Sequence, residues 1–249
     1  MERKIYKELL NWKENNIQKP LMVIGARQIG KTYIIKKFCE KEFKKCIYIN
    51  LLEQLEIVKI FQEKINIEDR FKRMEIYLDQ SIDLKNTIIF FDEIQECEEL
   101  ISALKYFNES EEPFKIICAG SLLGVKLKRM HSSFPVGKVK MINMYPMDFE
   151  EFLIANGNMA LKSEIEKCYH NNIAMDEVLH KKALDLYRLY LCVGGMPEAV
   201  KNLLENEKNI LKFDRSIIED IYQSYLGDMN KYVENKFEAV KIESIYKSI

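Results

Sequence analysis

Apolar residues along this chain change their spacing repeatedly, and each change predicts a change of element. A first helix is expected over residues 3–15, where Ile5, Leu9, Leu10 and Trp12 fall near one face. Pro20 then opens the continuous apolar run Leu21-Met22-Val23-Ile24, as expected of a short strand covered on both sides. Ile34, Ile35, Phe38, Cys39 and Phe43 return to helical spacing, and Cys46 to Asn50 makes a second strand. Two charged segments follow, at about residues 51–64 and 68–80. Leu51, Leu55, Val58 and Phe61, then Phe71, Met74 and Tyr77, are expected on their apolar helical faces.

Thr87 to Phe91 is the next β-prone run, and it ends in two adjacent carboxylates, Asp92 and Glu93. Leu100, Ile101, Leu104 and Phe107 mark a helix, and Pro113 closes a polar turn. Phe114 to Ser121 reads as a fourth strand, and Val139 to Met144 as a fifth. Strands alternating with helices imply an α/β fold, a parallel sheet with helices on both faces. From Asp148 onward the strand signals stop. Helical spacing runs through Phe149, Phe152 and Leu153, through residues 161–191, and again from Ile217 to Val233, broken by Gly194-Gly195. Pro197 suits the first turn of a helix. The last ten residues keep an apolar period to the end, where a terminus usually turns polar, so a continuation of the chain is expected.

Composition narrows the class without choosing within it. The chain has 249 residues, and its 38 basic and 39 acidic side chains nearly cancel, so bulk charge demands neither nucleic acid nor an anionic membrane. No apolar run approaches the roughly 20 residues of a membrane span and no leader is evident, so a cytoplasmic protein without membrane contact is expected. The six cysteines form no C-x-x-C pair and read as buried thiols. His131, His170 and His180 lack ligand-like spacing. The basic run Lys126 to His131 lacks interleaved aromatics and reads as a solvated face.

The chemistry concentrates between the first strand and the helix after it. Gly25-Ala26-Arg27-Gln28-Ile29-Gly30-Lys31-Thr32 reads G-x-x-x-x-G-K-T and leads into Tyr33. A glycine-bearing turn there points backbone N–H groups inward, and the following helix adds its positive end, so residues 25–33 form a candidate phosphate cradle. Lys31 would reach the β- and γ-phosphates and Thr32 would hold magnesium. Asp92, at a strand end, is the second candidate for magnesium, through its water shell. Glu93 is the candidate general base for an attacking water. Ser121, after the fourth strand, is a candidate to sense the γ-phosphate, with Gln95 a weaker one. Arg27 points to a neighbouring subunit or to solvent.

GARQIGKT, IIFFDEIQ and ICAGS together resemble the prokaryotic AAA-type P-loop ATPases, whose motifs run G-x-R-Q-x-G-K-T, D-E-I-Q and T-G-S. Tyr145 to Phe152 and Gly194-Gly195-Met196-Pro197-Glu198 resemble the same family's P-L-x-x-x-E-F and G-G-x-P-E signatures. The resemblance implies a P-loop NTPase core over residues 1–147, an all-helical lid over 148–213 and the start of a winged-helix-like segment over 214–249. It also implies a C-terminal domain of unassigned function, before or within which this chain would stop. One departure is Lys138, after Gly137, where the family usually has arginine; lysine lacks the forked donor geometry.

The expected activity is magnesium-dependent hydrolysis of ATP to ADP and phosphate, at a rate lowered by Lys138, and coupled to lid movement and partner recruitment. The alternative is a nucleotide-gated module that binds protein or DNA with little turnover. A small kinase reading fits less well, because a water-activating carboxylate is out of place where an acceptor must be sheltered from water. Self-association and a protein or DNA partner stay open.

Overall fold

The computed structural model describes residues 1–15, 17–107, 114–121, 137–231, 240–241, 244–246 and 248. Its described residues fall into two compact units. One comprises Lys4–Ala26 and Gly30–Tyr145; the other comprises Met1–Arg3, Arg27–Ile29 and Pro146–Ile249. Pro113, the basic run at 126–131 and much of the final apolar stretch lie outside the described residues.

The first unit is a five-stranded sheet in which every pair is parallel. Its strands are β1 (Leu21–Ile24), β2 (Lys45–Asn50), β3 (Thr87–Asp92), β4 (Lys115–Gly120) and β5 (Lys140–Asn143), in the order β2-β3-β4-β1-β5. All five were expected within a residue or two. β3 is buried along its whole length, which a strand with helices on both faces requires.

Alternation along the strands builds two apolar layers. On one face Ile47, Ile49, Ile89, Phe91, Ile116 and Cys118 meet α3 (Leu55–Gln62), α4 (Ile67–Leu78) and α5 (Glu98–Ala103). Phe61, Phe71, Phe91, Phe107 and Phe114 interlock there, mostly edge to face; such pairs add about 0.5–1.5 kcal/mol each beyond area burial. On the other face α2 (Lys31–Glu42) packs on β2, β3 and β4 and carries α1 (Ile5–Asn15) on its back. Trp12 and Tyr6 close on Phe38 there, and the Trp12 indole donates to the Lys19 carbonyl at 2.8 Å. Trp12 is thus a core residue.

The segment after β2 differs from its expected helix. Asn50 closes a turn, accepting from the Leu52 amide at 3.1 Å while its own amide donates to Gln54 Oε1 at 3.0 Å. The helix therefore starts only at Leu55, which is exposed, while Leu51 is buried ahead of it. Asn66 caps α4 through the Asp69 amide, and Tyr77 near its end is exposed instead of lying on the apolar face. Four of the six thiols are buried; Cys46 is partly exposed and Cys192 fully so, because it lies on an outward face of its helix.

The second unit is helical: α6 (Phe149–Ala155), α7 (Met159–His170), α8 (Glu177–Val193), α9 (Pro197–Glu205) and α10 (Ser216–Lys231). Asp148 starts α6 with a capping box, accepting from the Glu151 amide while the Glu151 carboxylate accepts from the Asp148 amide. Met147, Phe152, Val193, Val200, Leu203 and Phe213 form its main core. Gly194, at φ 77 and ψ −173, stops α8 in a conformation open in practice only to glycine. Gly195 then lies against Met147, accepting from its amide at 2.7 Å. Within this unit Arg3 is buried, donating to Glu151 at 3.1 Å and to the Ile29 carbonyl at 2.8 Å. The Tyr225 hydroxyl donates to the Arg27 carbonyl at 2.8 Å. No described helix is long and apolar enough to cross a membrane.

Candidate functional site

Parallel strands deliver their C-terminal ends to one edge of a sheet, and the strand order decides which ends are neighbours. Here β4 lies between β1 and β3, with Gly120 opposite Ile24 and Cys118 opposite Phe91. The loop leaving β1, Ser121 after β4 and the Asp92-Glu93 pair ending β3 therefore emerge on the same edge.

The loop turns through two left-handed residues, Gln28 at φ 62 and Gly30 at φ 89. Gly30 is the residue before α2, and its conformation suits a residue without a Cβ. The first turn of α2 contains no acid of its own. Lys31 is buried, its ammonium donating to the carbonyls of Gly25 at 2.9 Å and Ala26 at 2.6 Å. The amine thus lies over the loop. The Tyr33 side chain points outward and is 61% exposed.

Asp92 is the best-connected carboxylate at this edge. Its Oδ2 accepts from the Thr32 hydroxyl at 2.6 Å and from the Tyr48 hydroxyl at 3.2 Å, while Oδ1 accepts from the Glu93 amide at 3.1 Å. Burial first, and the Asp92 charge second, push the Tyr48 phenol above its ordinary range, so it is a protonated donor. A half-buried hydroxyl beside a buried carboxylate, next to a lysine and a helix N-terminus, is an oxygen-donor set suited to a magnesium ion accompanying a phosphate.

Glu93 sits at φ 54, left-handed for a residue with a side chain. That turn sends its carboxylate to Gln95, whose amide donates to Glu93 Oε2. Gln95 is buried rather than an exposed turn residue. Ser121 is buried as well, and its hydroxyl has no hydrogen-bond partner among the described residues. An unsatisfied buried hydroxyl costs about 1–3 kcal/mol, a cost that a ligand oxygen would relieve.

The structure thus brings Lys31, Thr32, Asp92, Glu93 and Ser121 to one edge of the sheet. Lys138 stands elsewhere. It is exposed and precedes β5, whose Lys140 pairs with Leu21, so it lies at the opposite end of the sheet from the loop. Tyr48 was missed by sequence reasoning, although strand alternation places it on the same face as Asn50, the partner of Asp92.

A family model described as an AAA domain matches residues 17–153. The chain is 29% identical over 211 residues to Uncharacterized protein MJ1544 of Methanocaldococcus jannaschii. That match covers 80% of this chain and 42% of the relative, so the chain spans about two fifths of the relative's length. Solved structures similar to it include C. elegans PCH-2, with a TM-score of 0.41 and 14% identity over 85% of this chain and 60% of that one. Another is Drosophila ORC bound to DNA, with a TM-score of 0.40 and 11% identity over 80% of this chain and 58% of that one. The fold assignment rests on the sheet topology and the family model.

Proposed function

Because the chain belongs to the AAA-domain family, we propose that it binds ATP with magnesium and hydrolyses it to ADP and phosphate. The observation carrying this reading is the 2.6 Å hydrogen bond between Thr32 and Asp92, which joins the phosphate loop to the carboxylate strand at one edge of the sheet. Lys31 leaves the loop carbonyls to meet the β- and γ-phosphates, which replace them as stronger, charged acceptors. Thr32 and Asp92 would hold the magnesium, which supplies charge neutralisation on the phosphate oxygens. Glu93 takes a proton from the attacking water as its oxygen bonds to the γ-phosphorus and the bond to the ADP oxygen breaks. Gln95 holds Glu93 until then, and Ser121 donates to the γ-phosphate or the water.

The reading extends to a division of labour along the chain: a nucleotide core at 1–147, a lid at 148–213 that responds to nucleotide state, and a further segment from 214. Lys138, exposed at the far end of the sheet from its own loop, brings no charge to this site, which fits a slow intrinsic rate. The same observation favours the second reading, a nucleotide-gated module recruiting protein or DNA. A cytoplasmic setting fits six free cysteines.

Phosphate release at saturating ATP and magnesium, with and without DNA, tests the two readings. Lys31→Ala should lose nucleotide binding, and Glu93→Gln should keep binding while turnover falls about 10²–10⁴-fold, the usual share of a general base. Unimpaired hydrolysis by Lys31→Ala would overturn the ATPase reading.

A further inference from the structure

We propose that Tyr48 is a positioning residue for Asp92, holding that carboxylate in place to receive the magnesium of bound nucleotide; the inference rests on the ATPase reading above. Tyr48 lies on β2 opposite Phe90, and Asn50 lies opposite Asp92, so Tyr48 and Asp92 are diagonal neighbours on one face. A diagonal separation is roughly 7–8 Å, which aromatic and long side chains can bridge. Serine or threonine at this position is too short, and phenylalanine spans the gap without a donor. The Tyr48 hydroxyl makes the contact at 3.2 Å.

Two neighbours hold the ring. Phe90 packs against it with centroids 5.3 Å apart, and the Lys36 ammonium stands 3.4 Å above its face. Lys36 follows Thr32 by one helical turn, so a single face of α2 brings both the other Asp92 donor and the clamp on the tyrosine.

The arrangement separates two duties. Thr32 can keep donating its proton to Asp92 while a lone pair of the same oxygen meets the cation, so it serves two partners at once. Tyr48 approaches the same Oδ2 from the neighbouring strand and takes no part in the phosphate loop. With Oδ1 fixed by the Glu93 amide, the carboxylate is held at both oxygens whatever Thr32 does.

Tyr48→Phe removes the hydroxyl while leaving the ring to pack on Phe90 and under Lys36. The magnesium concentration that half-saturates binding of a fluorescent N-methylanthraniloyl ATP should rise about 10-fold, the lower end of the usual effect of losing a group that orients a metal ligand. Binding in EDTA should stay at the wild-type level, and turnover should recover at high magnesium. Lys36→Met, which keeps the hydroxyl but frees the ring, should raise the same half-saturation by a smaller factor and serves if Tyr48→Phe does not fold. An unchanged magnesium dependence in both variants, or an equal loss with and without magnesium, would overturn the proposal and leave the ATPase reading intact. Wild-type protein that binds no nucleotide, or binds it without regard to magnesium, would overturn both.

Discussion

Thr32 and Asp92, sixty positions apart in the chain, share a hydrogen bond of 2.6 Å between a helix start and a strand end. That bond ties the two motifs of the site directly to one another. Asp92→Asn is nearly isosteric and keeps an oxygen for Thr32 and Tyr48, yet removes the charge a divalent cation needs. The variant should bind nucleotide in EDTA as the wild type does and lose about 10–100-fold in apparent magnesium affinity, read by titrating magnesium against bound fluorescent nucleotide. Equal magnesium dependence in the two proteins would remove Asp92 from the metal site.

Arg3 and Glu151 form an ion pair with both side chains 6% exposed. Removing one member of such a pair strands a buried charge, at a cost of about 3–5 kcal/mol. Arg3→Met should therefore lower the urea midpoint clearly. Glu151→Gln should cost less, because a glutamine can still close the capping box with Asp148. A double-mutant cycle checks the pairing: coupling near zero would mean that Arg3 acts through contacts other than Glu151.

Gly195 is sterically the tightest glycine of the helical unit for which the geometry is defined: an added Cβ would stand 2.0 Å from the Met147 carbonyl oxygen, a backbone atom. Gly195→Ala must push the Met147 backbone away and break its 2.7 Å hydrogen bond, so a loss of about 1–3 kcal/mol is expected by thermal or urea unfolding. Gly194→Ala meets no neighbour within 4 Å and is opposed only by its backbone conformation. An unshifted Gly195→Ala midpoint would show that the Met147 backbone yields freely.

Much of the sheet and most of the site were legible because they rest on local patterns. Leu21 to Ile24, Thr87 to Phe91 and Phe114 to Gly120 are short apolar runs between turn signals, and the glycine loop and Asp92-Glu93 stand at their ends. What stayed hidden depends on relations between distant segments. Tyr48 looks like any strand aromatic until the β2–β3 register sets it beside Asp92. Arg3 reads as a solvated charge at a helix start, and its burial depends on Glu151, 148 positions away. Leu55 shows the opposite failure: Val58 and Phe61 are buried as the period predicted, but Asn50 used the preceding backbone for a turn, so the helix starts at Leu55 and leaves it exposed.

The strand order also governs when the phosphate loop can take shape. Both neighbours of β1 in the sheet, β4 and β5, lie about a hundred residues further along the chain. During synthesis, at roughly 5–20 residues per second, the four apolar residues of β1 wait several seconds without a strand to pair with. The β2–β3 pair can form earlier, but β1 gains its inner neighbour only once β4 lies between β3 and β1. Such long-range parallel pairing is intrinsically slow. On the proposed reading nucleotide capture would then be a late event, and a bound nucleotide would mark a sheet whose last strands are already in place.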